Sequence, residues 1–177
     1  MPKILILTGP GGVGKTTIGK MLEAKCGYVY LDGDREDSEF FPDGDQWLPE
    51  HAAQLEKAHE KILGKAKELV NQGKSVVVDY IVFGRYREFL KSFDNEFGDR
   101  VHVKVLMASM TELVKRDKER ECWTTGAERI SAVCNEFLGI KHEIGADNFI
   151  DTTGQTPDET LSVYFSEYIQ DDQKRSS

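Results

Sequence analysis

The octapeptide Gly9-Pro10-Gly11-Gly12-Val13-Gly14-Lys15-Thr16 fills the spacing GxxxxGK[ST] completely, and it stands between an apolar run at residues 4–7 and a helical pattern that opens at residue 16. A chain carrying it is constrained to fold as strand, tight loop and helix. The glycines let the backbone curl until successive N–H groups face one anion, and the helix adds its positive N-terminal end. Gly9, Gly11, Gly12, Val13 and Gly14 supply that cradle. Lys15 is expected to reach the β- and γ-phosphates of a nucleoside triphosphate, the Thr16 hydroxyl to ligate Mg²⁺, and Thr17 to contact the α-phosphate. The motif specifies triphosphate binding and is silent on its use.

Downstream, short apolar runs alternate with longer stretches of helical period, the pattern of a parallel sheet flanked by helices. Strands are expected at residues 3–7, 28–31, 75–78, 101–107 and 148–150, and helices at 16–25, 55–70, 85–97, 111–121, 128–137 and 157–169. The longest helix is the clearest. Leu55, Ala58, Ile62, Ala66 and Leu69 recur at spacings of three and four, and Gly73 follows to end it. Pro157 suits the first turn of the last helix, and residues 171–177 read as a polar tail. Residues 1–170 are expected to form one domain, with no repeat and no long linker.

The formal charge of −8 and pI near 5.1 argue against a nucleic-acid partner, which wants a basic face. Cys26, Cys122 and Cys134 are odd in number and form no CxxC pair, as expected of thiols in a reducing compartment. No run approaches the roughly 18–20 apolar residues that span a bilayer, and residues 4–7 are too short for a signal peptide. The expectation is a cytoplasmic protein without a membrane partner, as a monomer or homodimer. His51, His59, His102 and His142 are scattered without metal-ligand spacing and receive no role.

In an open parallel sheet, ligands sit outside the carboxyl ends of the strands. Asp79 closes the third apolar run as a Walker B acid would, which makes it a candidate for Mg²⁺ and for the acceptor. Asp32-Gly33-Asp34-Arg35 closes the second; a carboxylate there can orient an attacking hydroxyl or take its proton. The bland reading of those residues is a turn. Asp32, Asp34, Glu36, Asp37, Glu39, Asp43, Asp45 and Glu50 crowd this region around Phe40, Phe41 and Trp47, with Arg35 as its one base. As a pocket wall the segment favours a neutral or cationic hydroxyl compound over a polyanion. It reads equally well as a solvated acidic loop over packed aromatics.

The phosphate loop, Asp32-Gly33-Asp34-Arg35 and Asp151-Thr152-Thr153-Gly154-x-x-Pro157 resemble the shikimate, gluconate and adenylylsulfate kinases. The stretch Asp79-Tyr80-Ile81-Val82-Phe83-Gly84-Arg85 is similar to the chloramphenicol phosphotransferase and zeta-toxin branch. The resemblance is to the fold group of nucleoside monophosphate and small-metabolite kinases, and it covers essentially the whole chain. It implies a three-layer α/β fold, with a five-stranded parallel sheet of order 2-3-1-4-5, helices on both faces and a mobile lid before the last strand. It also implies an acceptor pocket after strands two and three, Asp34 as the carboxylate for the acceptor hydroxyl, and Asp32 supporting Mg²⁺ or its waters. Thr153, in the Thr152-Thr153-Gly154 loop, would lie against the adenine. Shikimate kinases carry a glycine run where this chain has Asp79-Tyr80-Ile81-Val82, so shikimate is disfavoured as acceptor.

Phosphoryl transfer spreads negative charge over the γ-oxygens, and enzymes that perform it bring cations over the site. The candidate lid is residues 116–129, with Arg116 and Arg120 on one helical face, Gly126 as a hinge and Arg129 beyond it. A solvated helix laced with ion pairs is the alternative. Arg35 and Arg85, with Arg87, lie nearer the expected acceptor pocket. The leading expectation is an ATP- and Mg²⁺-dependent kinase acting on a hydroxyl of a small molecule. A nucleoside or nucleotide kinase, with these arginines clamping an acceptor phosphate, is second. A P-loop switch or binding module is third, and an Asn-Lys-x-Asp base-reading motif for a GTPase is not present.

Overall fold

A computed structural model of the chain describes residues 1–42, 46, 48–82, 84–119 and 124–173, with the backbone alone for 170–173. β1 (Ile4–Thr8) is buried along its entire length. Its neighbours on both sides are parallel: β1 pairs with β3 and β4, β2 with β3, and β4 with β5. A strand inside such a sheet has both faces covered and must be apolar throughout, which is why Ile4-Leu5-Ile6-Leu7 does not alternate. In chain order the elements are β1, α1 (Lys15–Cys26), β2 (Val29–Asp32), α2 (Gly33–Asp37), α3 (Ala52–Asn71), β3 (Val76–Asp79), α4 (Tyr86–Phe97), β4 (Val101–Met107), α5 (Met110–Lys118), α6 (Ala127–Gly139), α7 (Lys141–Ile144), β5 (Phe149–Asp151), α8 (Pro157–Tyr164) and α9 (Ser166–Gln173). The sheet order is β2-β3-β1-β4-β5, as the resemblance implied.

Successive residues of β1 feed opposite cores. Leu5 and Leu7 pack with Ile18 and Leu22 of α1 and with Leu161, Phe165 and Tyr168 of the closing helices. Ile4 and Ile6 pack with Ile62 and Ala66 of α3 and with Phe89 and Phe93 of α4. Helix α6 divides its apolar residues between the two, Ile130 and Cys134 on one side and Val133 and Phe137 on the other. These are the three layers that the resemblance implied.

Three segments differ from the sequence expectation. The Asp32-Gly33-Asp34 stretch is the start of α2, because an Asp32 carboxylate oxygen accepts the Arg35 N–H at 3.1 Å and so caps the helix. The closing helix breaks into α8 and α9. The break falls at Phe165, whose φ of −123° leaves the helical range, and Phe165 and Tyr168 are both fully buried against the α1 layer. α9 also runs to Gln173, into the stretch read as a polar tail. The helix expected at 111–121 ends at Lys118 among the described residues, with Arg120 outside them.

Candidate active site

The phosphate loop leaves β1 and turns into α1 as the octapeptide requires. Gly9 has φ +135°, and a Cβ there would stand 2.2 Å from the Leu106 carbonyl oxygen of β4, so only glycine lets the loop pass. Val13 anchors the loop from below, 2% exposed in the α1-side core. The Lys15 ammonium is drawn back over the first half of the loop, donating to the Gly9 and Pro10 carbonyls at 2.9 and 3.0 Å.

Residues of three elements meet at Asp79. The Thr16 hydroxyl donates to Asp79 Oδ2 at 2.7 Å, and the Tyr30 phenol donates to the same oxygen at 2.7 Å. Burial, and then the adjacent Asp79 carboxylate, push the Tyr30 phenol well above its ordinary range, so it stays a donor. Asp32 and Asp79 are register partners across β2 and β3, which places the two acids side by side at the strand ends. A hydroxyl beside one or two carboxylates is the sparse, hard-oxygen donor set that fits Mg²⁺, which completes its shell with phosphate oxygens and water. Thr16, Asp79 and Asp32 would hold that ion. Tyr30 escaped the sequence reading; its signal was a hydroxylated aromatic two residues before a strand-end acid, hence on the same face of the strand.

Helix α2 follows directly on the Asp32 strand end. Gly33 packs against the Tyr80 ring so closely that a Cβ would stand 2.6 Å from it, which seats the helix on β3. Asp34, one residue on, is solvent-accessible, yet the protein around it desolvates its carboxyl and pushes it up to about 7. Lys15 pulls against that rise, while Asp79, Asp37 and Asp32 add to it. Water at the exposed carboxyl weakens each of these effects. Even so, the set of partners shows that Asp34 shares a field with the phosphate-loop lysine and the metal-side acid. Asp37 lies beneath, 1% exposed, with Oδ2 accepting from the Tyr80 phenol at 2.9 Å and from Gln46 at 3.4 Å. Its Oδ1 and the Gln46 Oε1 are buried without a donor among the described residues. Burial raises the Asp37 carboxyl to about 6, against the hydrogen bonds from Tyr80 and Gln46 and the charge of Arg129.

The basic residues divide. The charge of Arg129, in the first turn of α6, reaches Asp37. Arg85 pairs at 3.8 Å with Glu88, and its charge is felt by His59, which packs edge-on against Tyr80. Arg35 is exposed on α2. Arg87 is held by both oxygens of Glu143, away from the phosphate loop. Arg116 is tied to Glu112 at 2.8 Å and, through two nitrogens, to the Thr152 hydroxyl and carbonyl at 3.2 and 3.1 Å. The Thr153 hydroxyl accepts the Ser109 N–H at 2.8 Å. Arg116 and Thr153 therefore meet at the end of β5. Arg120 lies outside the described residues.

A glycine cradle on a buried parallel strand, with a threonine–aspartate pair at its mouth, defines a P-loop nucleotide-binding protein. The sequence pattern of a family described as an AAA domain matches residues 5–138, and the chain belongs to that family. It is 31% identical to a putative adenylate kinase of Thermococcus gammatolerans, covering 90% of this chain and 81% of that protein. It is 26% identical to a guanylate kinase of Prochlorococcus marinus, covering 89% of this chain and 92% of that protein. In fold it is similar to the crystal structure of a sugar kinase from Janibacter, with a TM-score of 0.69 and 18% identity over 97% of this chain and 96% of the other. Among the described residues no helix is long and apolar enough to cross a membrane.

Proposed function

We propose that the chain is a MgATP-dependent kinase that passes the γ-phosphoryl group to a hydroxyl of a small-molecule acceptor. The observation that carries this reading is Asp34: an accessible carboxyl at the end of β2 that feels the Lys15 ammonium. A base near 7 is matched to taking a proton from a hydroxyl as it attacks, at the pH of a cell. Lys15 and the loop N–H groups would hold the β- and γ-phosphates, and Thr16 and Asp79 would hold a Mg²⁺ ion whose charge offsets that of the phosphates. Arg129, whose charge reaches Asp37 from the first turn of α6, would supply a cation near the acceptor. Arg116, locked to Thr152 beside Thr153, suits the base of the nucleotide better than its γ-phosphate.

The relatives named as adenylate and guanylate kinases favour a second reading, in which the acceptor is a nucleoside monophosphate clamped by Arg35, Arg85 or Arg129. The acids Asp32, Asp34 and Asp37 around that pocket weigh against a doubly charged acceptor. A screen for ADP release separates the two, with nucleoside monophosphates in one arm and hydroxylated metabolites, amino alcohols and sugars in the other. Turnover confined to the nucleotide arm overturns the small-molecule assignment.

A further inference from the structure

The phosphate loop is packed from both sides by the two ends of the segment that joins α5 to α6. A Cβ on Gly12 would stand 3.0 Å from the Leu113 carbonyl and 3.3 Å from the Asp117 backbone nitrogen, so the end of α5 lies directly against the loop. A Cβ on Gly11 would stand 2.3 Å from the Thr125 hydroxyl oxygen, so the foot of α6 lies against it too. Asp117 joins the two. It is 3% exposed, and its carboxylate oxygens accept the Thr125 and Gly126 N–H groups at 2.9 and 3.0 Å. A charge buried this deeply needs partners of this kind to persist.

The Thr125 hydroxyl itself is buried and has no hydrogen-bond partner among the described residues. A buried hydroxyl left unsatisfied is unfavourable and calls for a reason. Its position supplies one. The Lys15 ammonium sits over Gly9 and Pro10, and Asp34 senses that ammonium, so the early half of the loop is the end at which the terminal phosphoryl and the acceptor meet. Gly11 is the next residue of that half.

Building on the kinase reading above, we propose that Asp117 and Thr125 form a clamp that reads the terminal phosphoryl group of the bound triphosphate. Thr125 donates its hydroxyl hydrogen to a γ-oxygen. Asp117 is a positioning residue, which fixes the backbone of residues 125 and 126 so that the hydroxyl stays over Gly11. The segment carrying Arg129 is held by the same bonds, so the clamp sets the cation of the acceptor side together with the hydroxyl of the donor side.

Calorimetric titration of the full chain with MgAMP-PNP and with MgADP tests this, because only the first carries a γ-phosphoryl group. Thr125→Val is expected to weaken AMP-PNP binding about tenfold, the usual worth of a hydrogen bond to a charged oxygen, and to leave ADP binding unchanged. Thr125→Ser is expected to restore the wild-type ratio. Asp117→Asn, which keeps one accepting oxygen, is expected to shift the ratio in the same direction, with thermal unfolding as a check on folding. Should Asp117→Asn not fold, the Thr125 pair decides alone. A wild-type ratio of AMP-PNP to ADP affinity in Thr125→Val overturns the clamp and leaves the kinase reading standing. Binding of neither nucleotide by the wild-type protein overturns both.

Discussion

The hydroxyl of Thr16 donates to Oδ2 of Asp79 across 63 residues of sequence, at 2.7 Å, and so ties the first turn of α1 to the carboxyl end of β3. Tyr30 occupies the same oxygen, and Oδ1 makes no hydrogen bond within the described residues. Asp79→Asn keeps an oxygen to accept from Thr16 and Tyr30 but removes the charge. The Mg²⁺ concentration needed for half-maximal turnover should rise about 10- to 100-fold, the scale seen when groups supporting a metal site are lost. Tyr30→Phe removes one donor and should cost about 1 kcal/mol of stability while leaving most turnover in place. Titrating turnover with Mg²⁺ checks both, and an unshifted curve for Asp79→Asn would exclude Asp79 from the metal site.

If Asp34 is the base for the acceptor hydroxyl, as proposed, Asp34→Asn should lower kcat by about 10²- to 10⁴-fold with nucleotide binding nearly unchanged. On that proposal, with the carboxyl pushed up to about 7, kcat/KM for the wild type should fall as pH drops through that value. The fall comes from protonation of the base. A pH profile that is flat between 6 and 8, or a fully active Asp34→Asn protein, would remove Asp34 from the mechanism.

Much of this arrangement is legible in the sequence, and the part that is not has a common cause. The phosphate loop is written in consecutive residues, since curling a backbone around an anion is a local act, and the parallel strands are written as unbroken apolar runs. Asp32 and Asp79 could be marked as strand-end acids for the same reason. What joins Thr16 to Asp79, Tyr80 to Asp37, or Asp117 to Thr125 depends on register and packing between distant elements, which no local pattern encodes. Helix α2 was hidden because Asp32-Gly33-Asp34 is also good turn chemistry; only the side-chain cap and the seat of Gly33 on Tyr80 decide between turn and helix. Arg87 shows the converse: close in sequence to the site, it is held by Glu143 of α7.

Asp37 is buried with one oxygen unsatisfied, and its raised carboxyl should make the protein less stable as pH rises. Between about 4, where an unfolded aspartate titrates, and about 6, the native state holds the proton longer than the unfolded one does. Stability is therefore lost as pH climbs through that window. Asp37→Asn keeps an acceptor for Tyr80, carries no charge and adds donors beside Gln46 Oε1. It should gain about 1–2 kcal/mol at pH 8, roughly 3–6 °C in Tm for a chain of this size, and nothing at pH 4. Equal unfolding temperatures at pH 8 would show that the carboxyl is satisfied.

His59 works in the opposite direction. It is 8% exposed, with its ring edge-on to Tyr80 and Phe89, and burial, aided by the charge of Arg85, lowers it to about 4. The unfolded histidine takes its proton near 6.5, so as pH falls from there towards 4 the unfolded state binds protons that the native state refuses, and stability declines. The full effect is about 3 kcal/mol. His59→Phe keeps the aromatic contacts and cannot titrate. It should match the wild type within about 1 kcal/mol at pH 7.5 and be the more stable protein at pH 5. Since the window overlaps that of Asp37, the comparison belongs in the Asp37→Asn background, read as urea midpoints at pH 7.5, 6 and 5. Parallel lines for the two proteins would mean that His59 is protonated in the native state, and with it that the wall behind Tyr80 and Asp37 is open to water.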